Sequence, residues 1–501
     1  MNKNAIVFAL IFTALFVSLG PVQLKADEPT VAQQYTIHCA ACHGGDRLGG
    51  IGPALLPENL KRLRTKAATS VITSGRPSTQ MPGFEQVLSS EQIKGLVEYI
   101  YSPLEQLPTW SDKDIVSSRI IHTDPATLPE KPVHKSDLLN LFTVVESGDH
   151  HVTILDGDTM ESIWRFQSRF ALHGGAKYSP DGRFVFLGSR DGWISKYDLY
   201  SLKIVAEVRA GINTRNIAIS SDGKYVAVGN YLPNSLVILY THDLSLVKNI
   251  DVKGKDGTSS RVSAVYNAPP RNSFLVALKD VTEIWELPYD GETPLAVEQI
   301  EVGDYFDDFF FDQSYSNVMG AARNAKKGMV FNLDKQEKVA SLDLTSMPHL
   351  GSGITFEYDG RQVMATPHIK EGVLSVIDME NWQTVKKIKT KGPGFFMRSH
   401  DNTPYAWSDV FFGPHKDVMH VIDKNTLEIV KTLRPAPGKT AAHVEFTRDG
   451  KYALVSIWEY DGALVVYDAS TFEEVKRIPM KKPVGKYNVY NKITYERGTS
   501  H

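Results

Sequence analysis

The chain has 501 residues, of which 42% are hydrophobic, 10% aromatic and 23% charged, and its formal net charge is −3. This length exceeds that of one ordinary domain, so two or more domains are expected. The balanced charge gives no indication of a nucleic-acid partner, because nucleic-acid-binding proteins present a strongly basic surface. The composition is that of a globular protein.

The first 26 residues have the pattern of a secretory signal peptide. Lys3 gives a positive start, residues 5–20 are apolar, and the small residue Ala26 ends the cleavage region. The alternative is a retained anchor, although an apolar run of about 16 residues is short for a membrane span. No later stretch is apolar enough to span a bilayer, so no membrane span is expected after the signal is removed.

Residues 27–103 are predicted to form a small all-α domain around one motif. Cys39, Cys42 and His43 spell C-x-x-C-H and include both cysteines of the chain. This pattern is typical of covalent haem c attachment, in which each thiol adds to one vinyl group and the imidazole ligates the iron. The alternative is a disulfide or a redox-active pair, against which the adjacent histidine argues. The sequence therefore predicts one haem c and a role in electron transfer.

The second axial ligand of this haem is predicted to be Met81, which lies 38 residues after His43. A thioether ligand raises the potential of the iron, as suits electron transfer. Met81 could instead be a core residue. His38 is the competing ligand, but it abuts Cys39 and cannot easily reach the opposite haem face.

The domain is predicted to end in a packed helix. Ser89 to Gln92 have the pattern of a capping box, and four apolar residues follow at helical spacing: Ile93, Leu96, Val97 and Ile100. Residues 104–136 contain several prolines without clear periodicity, so they are predicted to be a linker. Export together with a c-type haem indicates the bacterial periplasm.

From residue 137 onward the sequence repeats with a period of about 45 residues. Asp-Gly turns between alternating apolar residues, as at 181–182 and 449–450, indicate β-hairpins. The third strand of each unit is predicted to end at a marker: Asp156, Asp198, Asp243, Pro288, Asp334, Asp378, Asp423 and Asp468. Eight such units predict an eight-bladed β-propeller over 137–501, and the regular spacing argues against two β-sandwiches. The segment 485–491 could pair with the first blade and close the ring.

The loop before each innermost strand opens near the propeller axis, about 15 to 20 residues after each marker. At this phase the blades carry mostly titratable or cationic residues, namely His173, Arg215, Arg261, Asp307, His349, the stretch Phe395–Arg398 and His443. A lone histidine is usually structural, but this convergence predicts a functional pocket. Histidines offer metal ligands or acid–base groups, and arginines can hold ligand carboxylates.

The two-domain combination resembles the cytochrome cd1 family over nearly the whole mature chain. The resemblance rests on residues 171–175 with 188–192, and on 348–353, 366–368 and 485–491. It implies that the propeller binds haem d1 or dihydro-haem d1, with His173 as the proximal ligand of the iron. Nitrite reductases of the family use two distal histidines. His349 matches the second, but Asp307 stands near the first, which argues against nitrite reduction.

The chain looks more like the NirN branch of that family, on residues 171–175, 260–266 and 441–446. NirN proteins oxidise dihydro-haem d1 to haem d1, turning a propionate into an acrylate in the last step of haem d1 biosynthesis for denitrification. The resemblance implies that His349 is the general base and that His443 orients the side chain or takes the second proton. Arg215, Arg261 and Arg398 are the candidates for ligand carboxylates. Haem c would pass electrons to a periplasmic acceptor.

Three other functions are weighed against the dehydrogenase. The first is nitrite reduction on the same scaffold. The second is a non-enzymatic d1 carrier that hands cofactor to a cytochrome cd1 nitrite reductase, but a carrier would need no haem c. The third is a propeller used only for protein interaction, which sits poorly with the phased histidines. The predicted partners are a tetrapyrrole substrate, an electron acceptor and, as an open alternative, the reductase.

Overall fold

The computed structural model describes residues 28–50, 52–61, 63–76, 81–172, 175–321, 327–344 and 348–494. Within these ranges the first part of the chain is helical and the remainder forms eight antiparallel sheets, as predicted. The predicted signal peptide lies outside the described residues. The described α-helices are α1 Val31–His38, α2 Ala40–His43, α3 Pro57–Leu60, α4 Thr65–Ser74, α5 Ser90–Tyr101, α6 Asp112–Ser118 and α7 Val489–Ile493.

Helix α5 closes the core of the N-terminal domain. Its N-cap is Ser89, whose hydroxyl accepts from the Gln92 backbone while the Gln92 side chain accepts from the Ser89 backbone, so the predicted capping box is confirmed. The four predicted apolar residues of α5 are all buried, against α1 and α4. In the part of the chain that is described, no helix is long and apolar enough to cross a membrane.

The strands give the bounds of the propeller. In chain order they are β1 Ile120–Ile121, β2 Leu141–Glu146, β3 His151–Asp156, β4 Ser162–Gln167, β5 Lys177–Tyr178, β6 Phe184–Gly188, β7 Trp193–Asp198, β8 Lys203–Arg209, β9 Asn213–Ile219, β10 Tyr225–Leu232, β11 Ser235–Tyr240, β12 Leu246–Asp251, β13 Val262–Ala268, β14 Ser273–Leu278, β15 Glu283–Pro288, β16 Glu298–Glu301, β17 Asp308–Phe311, β18 Asn317–Ala321, β19 Gly328–Asn332, β20 Glu337–Leu342, β21 Ile354–Tyr358, β22 Arg361–Pro367, β23 Val373–Asp378, β24 Thr384–Lys389, β25 Met397–Ser399, β26 Tyr405–Asp409, β27 Met419–Asp423, β28 Glu428–Leu433, β29 Ala441–Phe446, β30 Tyr452–Ile457, β31 Gly462–Asp468, β32 Glu474–Met480 and β33 Pro483–Asn488.

These strands form eight blades around one axis. Blade 1 contains β33, β2, β3 and β4, and blades 2 to 8 each take the next four strands from β5 onward. The innermost strands are β33, β5, β9, β13, β17, β21, β25 and β29, and several of them contact their neighbours directly, as β9 contacts β13 and β29 contacts β33. Third strands end on the predicted marker except β11 and β19, which end earlier at Tyr240 and Asn332.

The ring is closed by the C-terminal strand. Strand β33 pairs antiparallel with β2, in a register that places Asn488 opposite Phe142 and Gly485 opposite Val145. Blade 1 is therefore built from both ends of the propeller sequence, and the predicted closure is confirmed. The same pairing brings the side chains of β33 to the central axis.

The segment predicted as a linker is packed on the propeller. Strand β1 extends blade 2 by pairing with β8, and Ile115 of α6 is buried in the core shared by blades 2 and 3. A capping box between Ser111 and Asp114 starts α6, which explains a short helix in a stretch without longer periodicity. Residues 112–121 therefore run along the outside of the blades.

The helical domain also contacts the propeller directly. Ala54 and Leu56 share an apolar cluster with Ile212 and Leu232. The Arg209 guanidinium donates to the Leu48 carbonyl at 2.5 Å and to the Asp191 carbonyl at 2.9 Å. These contacts hold the helical domain over blades 2 and 3.

Candidate active site

The C-x-x-C-H residues are arranged to hold a haem. His43 ends α2, and its Nδ1 donates to the Pro53 carbonyl at 2.8 Å, which leaves Nε2 as the free ligand atom. A side chain on Gly52 would lie 2.6 Å from Cε1 of His43, so glycine is required beside the ring. Burial lowers the pKa of His43 and favours the neutral imidazole that ligates metals.

Space for a macrocycle lies beside α4. Met81 packs on the same apolar cluster as Cys39 and Leu63. A cavity of about 380 Å3 opens nearby and is lined by Leu63, Ala67, Ser70, Val71, Gly75, Arg76 and, from blade 8, Tyr460. The ligand set and this largely apolar space fit a haem c. Ligation of its iron by Met81 stays a prediction.

The loops predicted to hold the two irons approach each other between the domains. Arg76 precedes Met81 in the helical domain, and its guanidinium lies 5.5 Å from the ring centre of Phe170 in blade 2. Phe170 comes three residues before His173. His173 itself lies outside the described residues, so its predicted role as proximal ligand stays a prediction.

The inner strands bring most of the other predicted residues to one end of the axis. Arg215 lies in β9, His349 before β21, Arg398 in β25 and His443 in β29. Arg398 lies close enough to both histidines to lower their pKa values, and Arg215 does the same to His349. We call the end of the axis around these four residues, where the inner strands begin, the funnel.

His349 is held in one tautomer. Its Nδ1 lies 2.7 Å from the Phe395 carbonyl, which can only accept, so Nδ1 carries the proton and Nε2 keeps a lone pair. The Phe395 ring stacks on the imidazole with the centroids 3.9 Å apart. Burial lowers the pKa of His349; Arg215 and Arg398 lower it further, and Asp308 opposes them. The neutral imidazole is therefore favoured.

His443 occupies an unusual backbone position in β29. Its φ is +55°, in the left-handed region, and the β29–β30 pairing slips between Ala442 and Val444. The ring lies between Phe396 and Tyr487, at centroid distances of 4.8 and 5.3 Å. Its Nδ1 is buried without a hydrogen-bond partner in the described structure. Burial lowers the pKa of His443 far below its usual value, and Lys486, Arg398 and Lys492 add to this.

Cations crowd the funnel on the side of His349 and His443. The Arg398 guanidinium makes no ion pair among the residues that are described. Burial, followed by the charge of Arg398, lowers the pKa of Lys177 to about 8 and that of Lys492 to about 7. Lys486 is fully buried and donates to the His443 carbonyl and, at 2.9 Å, to the Ser456 hydroxyl. An anionic ligand would favour the protonated forms of these lysines.

The opposite side of the funnel neutralises its own charge. Arg261 forms a two-pronged ion pair with Asp280, with distances of 2.5 and 2.8 Å. Lys279 pairs with Asp307. Arg261 is thus one of the predicted residues, but its fork is already filled by a carboxylate of the protein.

The comparisons with known proteins agree with this architecture. Residues 136–492 match the family described as Cytochrome D1 heme domain, and residues 26–100 match Cytochrome C oxidase, cbb3-type, subunit III. A Dihydro-heme d1 dehydrogenase from Pseudomonas aeruginosa is 58% identical over 492 residues, covering 98% of this chain and 100% of that protein. This chain belongs to the cytochrome d1 haem family.

A solved structure and a second relative are also similar to this chain. A solved structure of Dihydro-heme d1 dehydrogenase NirN in complex with DHE is 59% identical, has a TM-score of 0.90 and covers 92% of this chain and 99% of that one. Protein NirF from Pseudomonas aeruginosa is 29% identical over 362 residues, which are 69% of this chain and 90% of the relative. The predicted resemblance to the NirN branch of the cytochrome d1 haem family is confirmed.

The family assigns the two predicted cofactor classes to the two domains: haem c to the N-terminal domain, and a d1-type haem to the propeller. The funnel fits the latter. Its uncompensated Arg398 suits an anionic tetrapyrrole edge, and the unpartnered Nδ1 of His443 offers a polar contact. Asp307, which the resemblance predicts to stand near a distal histidine of the nitrite reductases, forms an ion pair with Lys279.

Sequence reasoning missed several groups around the funnel. Lys486 and Tyr487 lie on β33, the inner strand of blade 1, and they follow the last marker, Asp468, at the same spacing as the other funnel residues. The spacing of about 15 to 20 residues after a marker, applied to the last marker as well, would have found them. Lys177 and Asp409 could not be found in this way. Lys177 lies in β5, the inner strand of blade 2, and Asp409 lies at the end of β26, the second strand of blade 7.

Proposed function

We propose that this protein oxidises dihydro-haem d1 to haem d1 by converting a propionate side chain into an acrylate. The reaction removes two protons and two electrons from a –CH2–CH2– unit, and the double bond forms between those carbons. The proposal is supported by the 58% identical dehydrogenase and by a funnel that combines cations with two neutral imidazoles. The observation that carries it is the fixed tautomer of His349.

His349 is proposed as the general base. With Nδ1–H donated to the Phe395 carbonyl, Nε2 is the basic nitrogen of the ring and would take a proton from the propionate side chain. The lowered pKa keeps this nitrogen unprotonated near neutral pH. His443, whose Nδ1 is unpartnered within the described structure, is proposed to orient the side chain or to take the second proton.

The cations are proposed to hold the substrate. Arg398 and Arg215 are the candidates for its carboxylates, because guanidinium groups bind carboxylates in a planar, two-pronged geometry. Arg261 would act at a distance, since Asp280 occupies its fork. His173 is proposed as the proximal ligand of the substrate iron.

Cys39, Cys42, His43 and Met81 are proposed to hold haem c, which supplies a one-electron carrier when bound. The contact of Arg76 with Phe170 joins the two domains at residues that lie five positions before Met81 and three before His173. We propose a periplasmic electron acceptor as the next partner, and the periplasm as the location, on the basis of the signal-like N-terminus and the c-type motif. Docking with a cytochrome cd1 nitrite reductase remains part of this proposal.

The test is an anaerobic titration of the purified protein with dihydro-haem d1 and an electron acceptor, followed by visible spectroscopy. Wild type should convert the substrate to haem d1. His349→Ala should bind the tetrapyrrole but lose at least about 100-fold in rate, the typical contribution of a general base. Binding without conversion in the wild type would contradict the dehydrogenase and favour a carrier, whereas rapid nitric oxide production from nitrite would favour a reductase.

A further inference from the structure

A buried carboxylate links the Phe395–Phe396 segment, which contacts His349, to the backbone of His443. Asp409 ends β26 in blade 7 and is fully buried. Its Oδ1 accepts from the backbone N–H groups of Phe395 and Phe396, at 2.7 and 3.0 Å. Its Oδ2 accepts from the backbone N–H of His443, at 3.3 Å. The first two donors belong to blade 7 and the third to blade 8.

Phe395, one of the residues bonded to Asp409, fixes the tautomer and the ring position of His349. Phe395 contacts the imidazole twice, because its carbonyl accepts from Nδ1 at 2.7 Å and its ring stacks on the same imidazole. Both contacts depend on the position of the Phe395 backbone, which Asp409 holds from the other side of the peptide. A shift of Phe395 would release the proton on Nδ1 and allow the tautomer to change.

The other oxygen of Asp409 holds the backbone of His443. Its left-handed φ of +55° is unfavourable for a side chain with a Cβ, so the surrounding contacts must hold it in place. The hydrogen bond to Asp409 is one such contact, and the Lys486 ammonium on the His443 carbonyl is another. Phe396, also bonded to Asp409, packs on the His443 ring.

A turn-capping aspartate in the neighbouring blade shows what is unusual here. Asp378 is also buried and accepts two backbone N–H groups, from Glu380 and Asn381 at 2.8 and 3.2 Å. Those donors lie in the turn that follows Asp378 itself, and its other charged partner, Arg361, lies in the same blade, so every contact of Asp378 stays within blade 6. Asp409 instead joins backbone from two blades, and both segments lead to a funnel histidine.

We propose that Asp409 is the positioning residue that sets the tautomer of His349 and the placement of His443 together. This inference rests on the proposed function, since it assigns a role in that reaction. Asp409 touches no substrate atom and acts through the Phe395–Phe396 backbone and the His443 backbone. Its loss should therefore reduce turnover without reducing substrate affinity.

The first experiment separates turnover from binding. In Asp409→Asn the amide retains an oxygen for Phe395 and Phe396 but presents N–H to the His443 N–H, which disrupts that contact. We expect kcat to fall about 10- to 100-fold, as misplacement of catalytic groups by about 1 Å does, with an unchanged Kd for dihydro-haem d1. Asp378→Asn is the matched control and should retain both values. An unchanged kcat in Asp409→Asn, or a parallel loss of binding, would overturn the proposal.

The second experiment reads the tautomer directly and needs no substrate. Nitrogen NMR of 15N-histidine-labelled ferrous protein, with the His349 signal assigned from His349→Ala, should show a single Nδ1–H tautomer in the wild type. Asp409→Ala should give a mixture of tautomers. If Asp409→Ala does not fold, Asp409→Ser decides, because its shorter side chain also gives up the bonds to the Phe395 and Phe396 N–H groups and should give the same mixture. A single tautomer in the folded Asp409 variant would overturn the role of Asp409.

The two experiments distinguish a failure of the proposed function from a failure of the role assigned to Asp409. If wild type does not convert dihydro-haem d1, the proposed function fails, while the NMR comparison still decides whether Asp409 sets the His349 tautomer. If wild type converts the substrate and Asp409→Ala keeps a single tautomer, the proposed function stands and the assignment of Asp409 is wrong.

Discussion

The two sides of the funnel carry cations at the same position of the repeat, but these cations differ in whether the protein supplies an ion-pair partner. On blades 4 and 5, Arg261 is paired with Asp280 and Lys279 with Asp307. On blades 6 to 8 and blade 1, the cation Arg398 is left without an ion pair in the described structure, beside imidazoles and aromatic rings. The protein therefore pairs Arg261 and Lys279 with its own carboxylates, pairs Lys492 with Glu445, and leaves Arg398 for an anionic ligand. A cation at the right phase is not enough to identify a ligand contact, because its partner decides its role.

The largest effect is expected from a histidine on the unneutralised side. His443→Ala should lower the rate of dihydro-haem d1 oxidation by about 100-fold, the scale of a lost acid–base group, with little change in substrate binding. His420→Ala is the matched control, because His420 is equally buried in blade 7 but bonds to Thr432 in an outer strand. Stopped-flow spectra would measure both. Equal losses in the two variants would mean that His443 acts only in packing.

The next effect concerns the uncompensated cation. Arg398→Met should raise the Kd for dihydro-haem d1 about 10- to 100-fold, because a hydrogen bond to a charged group is worth about 1.5–3 kcal/mol. Anaerobic optical titration would measure it. An unchanged Kd would remove Arg398 from the binding site and would weaken the distinction between the two sides.

The pH dependence of turnover should depend on the charge of Arg398. The folded pKa of His349 lies below its usual value of about 6.5, so the neutral base persists as the pH falls through that value, and turnover should decline only at lower pH. Removing the charge in Arg398→Met raises this pKa and should move the acid limb of the kcat profile to higher pH. A profile that does not move would show that the limb belongs to another group.

The smallest effect is expected on the neutralised side. The double variant Arg261→Met/Asp280→Asn removes one positive and one negative charge, so the net charge of the funnel is unchanged. We expect the Kd for dihydro-haem d1 to change by less than about threefold, since a partly exposed ion pair contributes little. A change as large as that of Arg398→Met would contradict the comparison.

The sequence predicted the features that are local or periodic. The haem c motif occupies five consecutive residues, and the eight markers follow a regular interval, so both could be recognised without a structure. Six of the eight third strands end on their marker. The position within the repeat then located His349, before an inner strand, and His443, within one.

Features that depend on pairing could not be predicted. Arg261 and Asp280 lie 19 residues apart, and only the β13–β14 hairpin brings them together. The three backbone donors of Asp409 come from two blades. Segment 104–136 was predicted as a linker because its helix and strand are too short to give a period, and their packing on blades 2 and 3 depends on the propeller surface.

The closure of the ring by β33 fixes an order of assembly. The C-x-x-C-H segment is synthesised first, and its domain can fold while blade 1 still lacks its inner strand, because domains generally fold as the chain grows. Lys486 and Tyr487 reach the funnel only when β33 pairs with β2. The inner wall of blade 1 is thus completed last, after every other blade has been synthesised. A chain that stops before Pro483 would hold a cytochrome domain beside an open ring.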